Sequence, residues 1–280
     1  MSRRREEEWD EEEWEEDWEE ESVPGPHETL LLPQPALAPG FLACSLLFLF
    51  YEIGLAWQGP EGSRNLAELT LGRPFAVFGD AACYVRWGIL LGATVWAYRR
   101  FRQQHTDLRR SLVRSVGEGL LAGMLLGPFL MVLLGVFDAW PGELEVEPMP
   151  IAPPLAVSLR LFGSAAWEEL VFRLGCHSIL FLILGRVVTF FGVSRPVSLV
   201  IGDIGGLLGS SVIFAAFHLE NFQQWIGIEE EGPSPAFLWR LVAGLVLAGL
   251  YRWRGLGVAA WAHGLFNLGL TLGAGPGVFR

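Results

Sequence analysis

The sequence predicts an all-α polytopic membrane protein: a bundle of about seven transmembrane helices, with eight as the rival count, around an intramembrane polar cavity. Three observations carry this. The 280 residues are 51% hydrophobic with a mean hydropathy of +0.37. Apolar runs near 20 residues long recur along the chain, the length a helix rising about 1.5 Å per residue needs to cross a hydrocarbon core of about 30 Å. Charge is segregated: residues 6–21 hold 13 acidic side chains, and the remainder sets 18 acids against 20 bases, so the apolar body is nearly neutral despite a net charge of −11. A soluble domain is excluded by the composition, and nothing in it points to nucleic acid.

Residues 1–35 read as a disordered, acidic cytoplasmic tail, a like-charge block followed by Pro24, Pro26, Pro33 and Pro35. Trp9, Trp14 and Trp18 recur every four or five residues there, so a transient amphipathic helix that binds an unidentified partner is a candidate use of the tail. No cleavable signal peptide is visible, and the first spanning helix is expected to direct insertion. Residues 36–150 are expected to hold N-terminal transmembrane helices at about 36–57, 81–98 and 116–137, the last kinked by Pro128. Residues 151–280 are expected to form the transmembrane core, with helices at about 155–184, 199–219, 235–251 and 256–272.

Orientation follows from arginine, the only basic residue type besides histidine in the chain. Arg99, Arg100, Arg102, Arg109, Arg110 and Arg114 make the loop after the second helix the most basic segment, which places it and the N-terminus in the cytoplasm. Seven helices then put Arg186, Arg195, Arg252 and Arg254 on the same side, and Glu143–Glu147 and Glu229–Glu231 outside. Splitting the fourth helix near Arg173 gives eight and moves Arg252 and Arg254 outside. The all-arginine basic set fits a GC-rich genome and a bacterial inner membrane.

Cys44, Cys83 and Cys176 have no paired spacing and are expected to be small buried hydrophobes. Gly202-x₃-Gly206 and Gly205-x₃-Gly209, followed by Ser210 and Ser211, read as a small-residue packing face, and Asp203 as a hydrated carboxylate near a helix end.

The chemistry is concentrated in three places. Trp167-Glu168-Glu169-Leu170-Val171-Phe172-Arg173 sets three ionisable side chains in an apolar run. One charge near mid-membrane costs about 2.5–3.5 kcal/mol on insertion scales, so such residues need partners or a function. Glu169 and Arg173 are four apart, acid first, the favourable order for a helical ion pair; Glu168 is left without a partner on its own helix. Phe214-x₃-His218 and His263-x₃-Asn267 place further polar groups at or near membrane depth. Taken singly, each has a structural explanation as an ion pair or interhelical clamp. Together, two glutamates, two histidines, an asparagine and an arginine are the makings of a water-filled hydrolytic centre.

In that order, Glu168-Glu169-x₃-Arg173, Phe214-x₃-His218 and His263-x₃-Asn267 resemble the three motifs of the CPBP family, the type II CAAX prenyl proteases and bacteriocin-processing (Abi) intramembrane endopeptidases. The resemblance covers about residues 155–272. One departure is Leu174, which intervenes before Gly175 where many members have glycine directly after the motif arginine; packing after the site is therefore left open.

The resemblance implies an endopeptidase that forms no acyl-enzyme and cleaves membrane-associated or C-terminal peptides. Glu168 would activate water, His218 would help position it, and His263 and Asn267 would hydrogen-bond the oxyanion. Glu169, Arg173 and Phe214 would support them, or Arg173 would meet a substrate carboxylate. No cofactor is expected to be required. Zinc is the alternative, but a His-Glu-x-x-His pair, which chelates from one helix turn, is absent from the sequence. Expected partners are a peptide or protein substrate and the bilayer.

Other intramembrane proteases fit less well. Ser210 or Ser211 with His218 is a poor serine–histidine pair, and Asp80 and Asp203 lack the settings of an aspartyl enzyme. A proton-coupled carrier would predict internal duplication, which the two halves do not show. A non-catalytic scaffold or immunity-type protein is the remaining alternative; a degenerate member would be expected to have lost Glu168 or a histidine.

Overall fold

A computed structural model describes residues 37–59, 62, 64–103, 107–136, 155–219 and 237–273. The acidic tail and the two acidic loops of the sequence reading lie outside these residues. The described chain is helical: α1 (Leu37–Gln58), α2 (Leu66–Gly72), a 3₁₀ segment (Arg73–Ala81), α3 (Ala82–Arg102), α4 (Leu108–Val136), α5 (Leu155–Glu169), a π-helical segment (Leu170–His177), α6 (Ser178–Phe190), α7 (Arg195–Phe217), α8 (Phe237–Arg254) and α9 (Leu256–Gly273).

A helix stands at each of the seven expected places, and five stretches are long and apolar enough to cross a membrane: 37–58, 66–102, 108–133, 155–190 and 195–217. The remaining two, α8 and α9, have 18 residues each; α8 carries Arg240, Arg252 and Arg254, and only a shorter part of α9, Leu256–Leu270, is counted as apolar. The protein is a multi-pass all-α membrane protein. Large apolar side chains such as Leu49, Leu91, Leu125, Ile183 and Ile204 are exposed on its outer helix faces, as lipid contact requires.

The fourth segment is continuous. α5, the π segment and α6 form one helical run through Arg173, as the seven-helix count expects and against the eight-helix rival, and reach residue 190 rather than 184. Arg254 pairs with Glu118, which also pairs with Arg114, so the end of α8 and the start of α4 share one end of the bundle, as the seven-helix threading requires.

The centre is built by α1, α5 and α9. α1 and α5 touch backbone to backbone, because Gly54 and Gly163 lie at the contact. A Cβ on Gly54 would come 2.6 Å from the Ala156 carbonyl oxygen, and one on Gly163 2.5 Å from the Tyr51 nitrogen. α4 and α8 pack on α9 through Leu126, Leu130, Trp239, Leu247 and Phe266. α6 and α7 meet along the small-residue face foreseen in the sequence, with Gly202 against Phe181 and Gly206 against His177. Ser210 and Ser211 are buried and return their hydroxyls to the Leu207 carbonyl, a packing role.

Two expectations need correction. Only Cys44 is buried; Cys83 and Cys176 are partly exposed on their helices. Asp203 is no isolated hydrated carboxylate: Arg252 Nε donates to its Oδ2 at 2.6 Å, and Oδ1 lies 3.4 Å from Nε2 of the fully buried His177. His177, whose ring also meets Tyr251 edge-on, is a deep histidine outside the three motifs, although Arg173 precedes it by four residues on the same helical run.

Candidate active site

Glu168 and Glu169 end α5, and both are buried. The π-helical segment begins at the next residue, so the helix widens just where the charged side chains are carried. Arg173, inside that segment, is fully buried. Its Nε lies 3.2 Å from Glu169 Oε2, the ion pair that the spacing predicted. Its guanidinium also stacks 5.1 Å from the centre of the Phe214 ring. Its terminal nitrogens have no hydrogen-bond partner.

α9 brings His263 between the two glutamates. Nδ1 is 2.8 Å from Glu169 Oε1, and Nε2 is 3.5 Å from Glu168 Oε2. Facing a carboxylate at that distance, Nδ1 carries the proton and donates. α7 ends at His218, whose Nδ1 donates to the Phe214 carbonyl at 2.8 Å. That bond leaves Nε2 as the acceptor nitrogen of the neutral ring, 3.7 Å from Glu168 Oε2. One oxygen of Glu168 therefore faces two imidazole nitrogens at distances just beyond a direct hydrogen bond, so the three atoms converge on one small polar site.

An aromatic wall backs this cluster. Phe214 meets the rings of His218, His263 and Phe172 edge-on, at 5.0, 5.7 and 5.3 Å between centroids. Phe217 and Leu66 complete it. Asn267 follows His263 one turn later on α9, half-buried. The structure thus brings Glu168, Glu169, Arg173, Phe214, His218 and His263 into one cluster, with Asn267 on the helix that carries His263.

Two residues here were not foreseen. Asn65, just before α2, donates from Nδ2 to Glu168 Oε1 at 2.9 Å. Arg240 of α8 lies in electrostatic range of Glu168 and His218, and its Nε is buried without a hydrogen-bond partner. Asn65 lies 103 residues from Glu168, and no local pattern links them. Arg240 carried one signal, a lone arginine inside an apolar run.

Among the described residues, no three His, Cys, Asp or Glu side chains are arranged to hold a metal ion. Comparison with known families matches residues 150–269 to the type II CAAX prenyl endopeptidase Rce1-like model. Neither the curated proteins nor the solved structures gave a match.

Proposed function

We propose that this chain, which through residues 150–269 belongs to the Rce1-like type II CAAX prenyl endopeptidases of the CPBP family, hydrolyses peptide bonds by a water molecule that Glu168 activates. At the level of the family it is a protease that acts at the membrane. The observation that carries the finer reading is the geometry around Glu168 Oε2, which faces the Nε2 atoms of His218 and His263 at 3.7 and 3.5 Å.

A water in that space donates one hydrogen to Glu168 Oε2 and the other to the lone pair of His218 Nε2. Its oxygen lone pair is then directed at a scissile carbonyl. Glu168 takes the water proton as the C–O bond forms, and returns it to the departing amine as the C–N bond breaks. The negative charge that develops on the carbonyl oxygen needs donors placed in advance. Because Nδ1–H of His263 is committed to Glu169, His263 donates to an oxyanion only through a second N–H at Nε2. The imidazolium is therefore the form that acts, with Glu169 as its counter-charge, because Glu168 by then holds the water proton. The carboxamide of Asn267 is the second donor. Glu169 acts on His263 as the carboxylate of a catalytic triad acts on its histidine, fixing ring orientation and proton position. Arg173 offsets the charge of Glu169.

The substrate is a peptide at the membrane. Arg240, a cation in electrostatic range of the cluster, favours one that ends in a free carboxylate, as CAAX-type peptides do. We place the protein in a cell membrane with a cytoplasmic N-terminus, from its arginine distribution. No metal is required in this mechanism.

The test is cleavage by the purified chain in detergent. The substrates are quenched peptides that end in a farnesylated CAAX sequence, their unprenylated counterparts, and a mixed membrane-peptide library. Cleavage that is lost in Glu168→Ala and in His263→Ala and is indifferent to chelator is the expected result. Sensitivity to chelator, restored by zinc, would replace the mechanism with a metal-bound water. A folded wild type as inert as Glu168→Ala on every substrate would leave a membrane scaffold as the reading.

A further inference from the structure

The loop before α2 reaches the cluster from outside the segment that the family comparison matches. Each polar group of Asn65 has a partner. Its N–H donates to the Tyr51 hydroxyl at 2.6 Å, and its carbonyl accepts from Leu69 N at 3.0 Å. Its Oδ1 caps α2 by accepting from Ala67 N at 2.9 Å and Glu68 N at 3.4 Å. With Oδ1 engaged by two N–H donors, the orientation of the amide is determined, and Nδ2 is the end that meets Glu168.

The loop itself is anchored twice. Tyr51 donates its hydroxyl to Glu68, which forms ion pairs with both Arg64 and Arg86. The next residue, Leu66, is buried among Phe172, Phe214 and Phe217, the same aromatic wall that supports His218 and His263.

We propose that Asn65 is a positioning residue for Glu168. Its amide holds Oε1, favours the ionised carboxylate, and so commits Oε2 to the water between the two histidines. This rests on the reading of Glu168 as the base. A hydrogen bond to a charged acceptor is among the stronger ones, and here the donor is preset by the α2 cap. Asn65 touches neither water nor substrate in this account.

Asn65→Asp separates this role from capping. Aspartate keeps an oxygen for Ala67 N and Glu68 N, but it removes the N–H and faces Glu168 with a like charge. The direct readout is labelling of Glu168 in the full chain by dicyclohexylcarbodiimide, which reacts with protonated carboxyl groups, followed by mass spectrometry at pH 7. Labelling is expected to rise about tenfold in Asn65→Asp, the ratio that one hydrogen bond to a charged group sustains. kcat on the cleaved peptide should fall at unchanged KM, and the α-helical circular dichroism of the folded chain should match wild type. Wild-type labelling of Glu168 in Asn65→Asp overturns the proposal whatever the activity. Lost α-helical circular dichroism with kcat and KM changing together reduces Asn65 to a helix cap and overturns it as well. Cleavage that survives Glu168→Ala refutes the choice of base instead, and the labelling arm distinguishes that failure from this one.

Discussion

Replacing Glu169 by glutamine keeps its volume and removes its charge. One carboxylate oxygen accepts from His263 Nδ1 at 2.8 Å, and the other lies 3.2 Å from Arg173 Nε, with both Glu169 and Arg173 fully excluded from solvent. Removing one member of a buried pair typically costs about 3–5 kcal/mol, because the other charge stays buried and uncompensated. The Phe214 ring 5.1 Å from the guanidinium remains as a partner. That contact is present in both forms and cancels in the difference, so the expected loss is about 3–5 kcal/mol. Arg173→Met should cost a similar amount. The double variant, which removes both charges, should lose less than the sum of the two by about 2 kcal/mol. Unfolding by sodium dodecyl sulfate in mixed micelles, followed by circular dichroism, gives all four corners of the cycle. Additive losses, with a coupling below about 0.5 kcal/mol, would refute the ion pair as the structural centre of the site.

Other perturbations test separate parts. Asn267→Ala is expected to lower kcat by about 10²–10³ with little change in KM, the usual effect of losing an oxyanion donor; an equal loss in KM would assign it to ground-state binding. Gly163→Ala forces a methyl group against the Tyr51 backbone nitrogen, now 2.5 Å from where that Cβ would lie. It should cost about 1–3 kcal/mol in the same unfolding assay, and a neutral result would show that α1 and α5 separate freely. Arg240→Met should raise KM for a peptide with a free C-terminal carboxylate and leave that of the matching amide unchanged; parallel shifts would remove Arg240 from substrate recognition.

The bundle was legible because apolar run length and arginine placement are direct consequences of the bilayer, and each of the seven runs forms a helix. The cluster was legible where two members sit a single turn apart, as Glu169 and Arg173 or Phe214 and His218 do. The role of His263 between the two glutamates was not, because it depends on how α9 crosses α5. Asn65 illustrates the same limit more strongly. Its capping of α2 is a local matter, but its bond to Glu168 depends on α1 bringing the Tyr51 hydroxyl to the Asn65 N–H. The π-helical segment escaped too: one extra residue per turn leaves the apolar pattern of Leu170–His177 unchanged.

The backbone contact between α1 and α5 has a consequence for how the molecule can be dissected. Residues 150–269 are the matched segment, yet Trp167 beside Glu168 packs on Phe48 and Tyr51 of α1, and the hydrogen bond to the Glu168 carboxylate comes from Asn65, just before α2. A fragment beginning at α5 should therefore be insoluble or inert in micelles. Co-expression of a piece ending after α4 with a piece beginning before α5 should restore the protein, since the two halves recognise one another through glycine-lined grooves rather than through the peptide bond that joins them.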